Sequence, residues 1–169
     1  MYSLNVPLPG EVSALAADLA RDLPGARARA RKERTLVVKR LGRGDRSEFR
    51  RLAARTREAL AGQPCFEARV AGVDLFEEAV AGPSPVVYLA VESRGLVALH
   101  RRLVEVFDPV EGIEGEGYIP HVTVARGGTV AAARRLAGRG IEPVEWPVSE
   151  LAFWDADRGQ PAGTVSLPA

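Results

Sequence analysis

The sequence predicts an α+β fold of two pseudo-symmetric lobes, two antiparallel sheets facing each other across a cleft with helices outside. Three observations predict it. The order strand, helix, strand, helix, strand runs through the first half of the chain and recurs in the second, where a last strand follows. The segment Thr35-Leu36-Val37-Val38-Lys39-Arg40 aligns without gaps to His121-Val122-Thr123-Val124-Ala125-Arg126, with apolar positions and the closing arginine coinciding. No low-complexity linker divides the chain, so residues 1–169 read as one domain whose two lobes share one cleft.

Residues 2–8 read as a short strand stopped by Pro7 and Pro9. A helix from about Glu11 carries Val12, Leu15, Ala16, Leu19 and Leu23 on one face, and Pro24-Gly25 ends it. Residues 26–33 are rich in Arg and Ala without an apolar stripe and read as an exposed connection. Residues 34–41 are strand-like through Leu36, Val37 and Val38, and Gly42 and Gly44 break the chain after them. Asp45, with Glu48 three residues on, matches a capping box. The helix it opens has Phe49, Leu52, Ala53, Thr56 and Leu60 inside. Phe66, Ala68 and Val70 alternate with Glu67 and Arg69, which predicts a half-buried strand.

In the second half, the apolar run Val86 to Val91 predicts a strand covered on both faces. Ser93 caps a helix bearing Leu96, Leu99, Leu103 and Phe107. An acidic, glycine-rich loop runs from Glu111 to Gly117, and residues 118–126 form the clearest strand after it. Gly127-Gly128 and a Thr129 cap open a fourth helix. Val144 to Trp154 and Thr164 to Leu167 complete the chain as two strands.

Composition narrows the function. Hydrophobic residues make up 46% and charged residues 27%, enough for a real core and too apolar for disorder. The 23 basic and 22 acidic side chains exclude a histone-like tail or an acidic solvating segment, while a local basic patch stays open. Lys32 and Lys39 are the only lysines, so arginine supplies nearly all the positive charge. The single cysteine, Cys65, excludes an intramolecular disulfide framework and a cysteine-cage zinc site, and its place beside Phe66 reads as inert core. No apolar run approaches the ~18 residues of a membrane span. Met1 to Val6 carries neither a basic nor an apolar leader segment before Pro7. The expectation is a cytoplasmic protein with no membrane partner.

The strongest chemical signal is Pro120-His121-Val122-Thr123-Val124-Ala125-Arg126. Strand periodicity puts His121 and Thr123 on one face and Arg126 on the other. An imidazole moves a proton near neutral pH, and a hydroxyl binds a phosphoryl oxygen, so the pair suits phosphoester chemistry. A bare His-x-Thr is more often only a strand-end histidine with a neighbour to hydrogen-bond; context lifts this one.

This stretch, inside this element order, resembles the second motif of the 2H phosphoesterase superfamily. That group contains the 2′-5′ RNA ligases and the RNA 2′,3′-cyclic phosphodiesterases. The family pattern is Pro-His-x-Thr-(apolar)-x-Arg, and positions 120, 121, 123, 124 and 126 match it. The resemblance implies two such histidine motifs, one per lobe, with one histidine as base and the other as acid and the hydroxyls gripping the phosphate. Here the first motif is degenerate, because His100 and His121 are the only histidines.

The ungapped register puts Thr35 in the histidine position and Val37 in the hydroxyl position. A shift by one puts Arg34 and Leu36 there instead, and only one register can hold, because a slip by one flips the strand face. The ungapped one is the first reading. Neither Thr35 nor Arg34 replaces a histidine in proton transfer. Thr35, Arg34 and Lys39 are candidates for holding a phosphate, and Arg126 for supporting the motif.

His100 sits beside the apolar stripe of its helix and reads as a residue at the core edge or the surface. Glu111, Glu114 and Glu116 read as solvated loop acids, and the arginines 46, 50, 51, 55 and 57 as a solvated helix face. Trp146, Phe153 and Trp154 read as buried rings. Gly112-x-x-Gly115-x-Gly117 leads into a strand and is no dinucleotide fingerprint.

The resemblance implies a protein acting on 2′,3′-cyclic or 2′-5′ phosphodiesters of RNA ends or small nucleotides, by hydrolysis or the reverse ligation. His121 would be its acid or base and Thr123 its phosphate grip. No cofactor and no metal are expected, and the chain is expected to be a monomer. The rival reading is a non-catalytic RNA- or nucleotide-binding module on the same fold.

Overall fold

The computed structural model describes residues 1–168, the side chain of Lys32 excepted; Ala169, the end of the expected domain, lies outside the described residues. The described strands are β1 (Tyr2–Val6), β2 (Ala26–Ala28), β3 (Leu36–Gly42), β4 (Phe66–Phe76), β5 (Val86–Glu92), β6 (His121–Gly127), β7 (Val144–Val148), β8 (Glu150–Asp155) and β9 (Gln160–Ser166). The helices are α1 (Gly10–Ala20), α2 (Arg46–Ala59), α3 (Arg94–Val104) and α4 (Val130–Ala137). Three helix starts use the caps the sequence marks. Asp45 accepts from the Ser47 and Glu48 amides, Ser93 from Leu96 and Thr129 from Ala132. Glu48 does not close a capping box; its carboxylate pairs with Arg51 at 2.8 Å.

The strands lie in the order β7-β4-β5-β6-β3-β1-β8-β9, with β2 also on β6, and every pair is antiparallel. This is the expected pair of sheets. They meet at one bridge, Leu36 with Val122, between β3 and β6. On one side lie β3, β1, β8 and β9; on the other lie β6, β5, β4 and β7.

The lobes are not the halves of the chain. Strand β4, from the first half, joins the β5–β6 lobe, and β8, from the second half, joins β1. The helices cross too: α1 packs on β6, and α3 packs on β3 as well as on β4. Each half of the chain therefore braces the other's sheet. The stretch from Val144 to Trp154, expected as one strand, is two. Its first part pairs with β4 and its second with β1, and Ser149 falls at the crossing between lobes. The core fills the helix side of the sheets, with Leu4, Leu36, Val124, Leu99 and Phe153 among its fully buried residues.

Two bulges shape the seam. Leu4 pairs with Lys39 and Asn5 with Val37, which leaves Val38 as an extra residue in β3. Val87 pairs with Ala125 and Tyr88 with Thr123, which leaves Val124 as an extra residue in β6. Each bulge inverts the alternation beyond it. A pseudo-twofold axis through the Leu36–Val122 pair exchanges the two bulges, and it also exchanges Thr35 with His121 and Val37 with Thr123.

Candidate functional site

A cleft of about 410 Å³ opens where the two sheets meet. His121, Thr123 and Arg126 line it from β6; Thr35, Val37 and Arg40 line it from β3 and its approach. The antiparallel bridge sets Val37 beside His121 and Thr35 beside Thr123 across the seam. Arg29 and Glu33 stand at one end, their charged groups 3.8 Å apart. The loop through Gly112, Ile113, Gly117 and Tyr118 supplies another wall.

The structure brings four of the six candidate residues together: His121, Thr123, Thr35 and Arg126. Arg126 corrects the alternation reading. The Val124 bulge turns both Val124 and Ala125 inward, so Arg126 returns to the cleft side with His121. There its Nη1 donates to the Ala81 carbonyl at 2.8 Å. Arg34 is a second correction. Its Nη1 donates to the Ser13 carbonyl at 2.9 Å, which ties the side chain to α1 and away from the cleft.

Lys39 is the third. The Val38 bulge turns it inward, and its side chain is wholly buried. Its Nζ donates to Glu114 Oε2 at 2.6 Å and to the carbonyls of Arg40 and Asp108 at 2.6 and 3.0 Å. No donor remains for a phosphate. Glu114 is correspondingly no solvated loop acid. Its carboxylate also accepts from the Arg40 amide at 2.8 Å and the Val110 amide at 2.9 Å. Burial opposes ionisation of Glu114, but the Lys39 bond and these amides outweigh it and hold the carboxyl below its ordinary value.

His100 belongs to the same buried cluster. Its Nδ1–H donates to the Val38 carbonyl at 2.7 Å, and Nε2 accepts from the Gly115 amide at 2.9 Å. Its ring stacks on Tyr118 at 3.8 Å, and the Tyr118 hydroxyl donates to the Val37 carbonyl at 2.8 Å. Burial pushes the Tyr118 hydroxyl above its ordinary pKa. These contacts fix the loop wall against β3. With both nitrogens engaged, His100 is structural.

His121 is arranged otherwise. Its Nδ1 lies 2.7 Å from the Ile119 carbonyl, which can only accept, so the proton sits on Nδ1 and Nε2 keeps its lone pair. Among the described residues nothing occupies Nε2. Burial lowers the imidazole below its ordinary value, and the Arg40 and Arg126 guanidinium groups lower it further. The ring is therefore neutral at neutral pH and able to accept a proton. Phe76 meets it edge-on at 5.4 Å and stacks on Tyr88 at 4.3 Å, which makes an apolar wall beside it.

Arg40 is the functional candidate that reading by motif alone missed. Its signal lay in the internal alignment, where it matches Arg126. The arginine face of α2 does not line the cleft. Among the described residues no cluster of His, Cys, Asp and Glu can hold a metal, and no helix is long and apolar enough to cross a membrane.

Fold and site thus define a bilobal α+β protein with one neutral imidazole, two threonine hydroxyls and arginines around a cleft at its seam. The sequence model of the 2′-5′ RNA ligase superfamily matches residues 38–160. The chain belongs to that superfamily. The match spans His121, Thr123 and Arg126 and begins just past Thr35 and Val37. Among solved structures, TT0787 of Thermus thermophilus is 20% identical, with a TM-score of 0.67 over 98% of this chain and 97% of its own. LigT of E. coli complexed with ATP is 18% identical, with a TM-score of 0.67 over 99% and 97%. Complexed with 3′-AMP, it is 19% identical, with a TM-score of 0.66 over 99% and 98%. The likeness to these structures is one of fold. No curated protein matches the sequence.

Proposed function

We propose that the cleft binds 2′,3′-cyclic or 2′-5′ phosphodiesters of RNA ends or small nucleotides and hydrolyses them slowly, or joins them in reverse. The observation that carries this is His121, neutral and with Nε2 open in the cleft, one pleat from the Thr123 hydroxyl. Nε2 takes a proton from the attacking water, and the Thr123 hydroxyl holds a phosphoryl oxygen. Thr35, facing Thr123 across the seam, offers a second hydroxyl to the same group. Arg40 and Arg126 balance its charge. Structures of LigT with ATP and 3′-AMP support a nucleotide as the ligand. On this reading the chain needs no cofactor and works as a cytoplasmic monomer.

Turnover is slow because Thr35 and Val37 stand where a second histidine motif would be. Loss of one proton-transfer group typically lowers a rate by ~10²–10⁴. The same substitution favours a second reading, a nucleotide-binding module without turnover. Hydrolysis of a 2′,3′-cyclic nucleotide, wild type beside His121→Ala, separates them. Slow opening of the cyclic phosphate, lost in the variant, supports the enzyme. Ligand-dependent thermal stabilisation without product supports the module. A wild type that shows neither binding nor turnover refutes both.

A further inference from the structure

We infer that the substrates this cleft turns over efficiently are phosphodiesters whose leaving oxygen departs as a stable anion, an aryl or phosphoanhydride oxygen. Alkyl-linked diesters, the cyclic nucleotides included, would be its slow substrates. The inference rests on the reading of His121 as the base.

Phosphodiester hydrolysis takes one proton from water and, when the leaving group is an alkoxide, gives one to it. His121 supplies the first transfer. The strand that faces it supplies no second. Val37, beside His121 across the Leu36–Val122 bridge, has no proton to give, and the Thr35 hydroxyl is a poor acid near neutrality. The Tyr118 hydroxyl already donates to the Val37 carbonyl at 2.8 Å. The arginines do not deprotonate. Among the described residues, the carboxyls in the lining are Glu33, 3.8 Å from Arg29, and the exposed Glu78, and no other acid lines the cleft.

The step then needs only what is present. A water O–H proton passes to His121 Nε2 as the water oxygen bonds to phosphorus. The bond from phosphorus to the leaving oxygen breaks, and its electron pair stays on that oxygen. The product leaves as an anion, and His121 returns its proton to solvent. Arg29, Arg40 and Arg126 line the cleft and offset the negative charge as it develops. A leaving phosphate or phenolate is stable without the missing proton; an alkoxide is not.

The test is kcat/KM for adenosine 5′-aryl phosphodiesters graded in the acidity of the phenol, with 2′,3′-cyclic AMP beside them. The rate is expected to fall steadily as the phenol weakens, by at least ~10²-fold from the 4-nitrophenyl ester to the cyclic nucleotide. Thr35→His with Val37→Thr is expected to raise the cyclic-nucleotide rate by ~10²–10⁴-fold and to flatten the series. A flat series in the wild type with His121→Ala inactive overturns the inference and leaves His121 as the base. A shallow series that Glu33→Gln steepens assigns the acid to Glu33 and overturns it too. Full activity in His121→Ala removes the reading beneath it. The wild-type series decides the matter even if the double variant does not fold.

Discussion

Glu114→Ala would leave the Lys39 ammonium buried without its counter-charge. Both side chains are wholly buried, and their charged atoms lie 2.6 Å apart. Breaking a buried pair by removing one partner costs about 3–5 kcal/mol. The loss falls at the upper end of that range, because the Arg40 and Val110 amides lose their acceptor in the same step. In a chain of this size each kcal/mol shifts Tm by about 2–4 °C, so a loss of about 5 kcal/mol should lower the melting point by roughly 10–20 °C. Lys39→Met should cost less. Glu114 Oε2 and the Arg40 and Asp108 carbonyls then lose a donor, but the carboxylate keeps both amides and the Arg40 guanidinium at 3.4 Å as partners. Circular-dichroism melts of the two single variants and the double variant at pH 7 measure the losses and their coupling. A Glu114→Ala variant within about 2 °C of the wild type, or one melting above Lys39→Met, would refute the buried pair.

Two further outcomes concern the histidines. Activity should rise with pH through a midpoint below 6.5, because burial, Arg40 and Arg126 lower His121 and only its neutral form accepts a proton. A pH profile of kcat/KM checks this, and a midpoint above 6.5 counts against it. Stability should depend on His100 in the same direction. Its burial lowers the folded-state value, so the unfolded chain takes up its proton first. The contribution is therefore complete above about pH 6.5 and is lost as pH falls through the lower folded-state value. Urea midpoints measured against pH should show that slope, reduced in His100→Gln.

Much of this architecture was legible because short local signals decided it. Asp45, Ser93 and Thr129 cap helices where the sequence marks them. The chain order repeats, and β3 and β6, the strands that the internal alignment matches, lie at equivalent places in the two sheets. The illegible parts came from single extra residues and from long-range pairing. Val38 and Val124 look like ordinary apolar strand positions, yet each is a bulge, and each reverses the face of the residues beyond it. Strict alternation therefore misplaced Arg126, and it gave no hint that Lys39 turns inward. β2 is short and rich in arginine and alanine, with no apolar stripe to mark it; its partner β6 makes it a strand. Glu114 looked like Glu111 and Glu116, which are exposed. Only the fold brings the buried lysine to it, across a sequence separation that no local pattern records.

The sequence contains two histidines, so long-range proton–nitrogen NMR correlations resolve each imidazole by itself. Titration with 2′,3′-cyclic AMP at pH 7 asks whether the ligand meets His121. The expected spectrum shows both rings neutral and protonated on Nδ1, with His121 Nε2 shifting on binding while His100 stays still. A ligand that moves His100, or that binds and leaves His121 unchanged, would contradict the site.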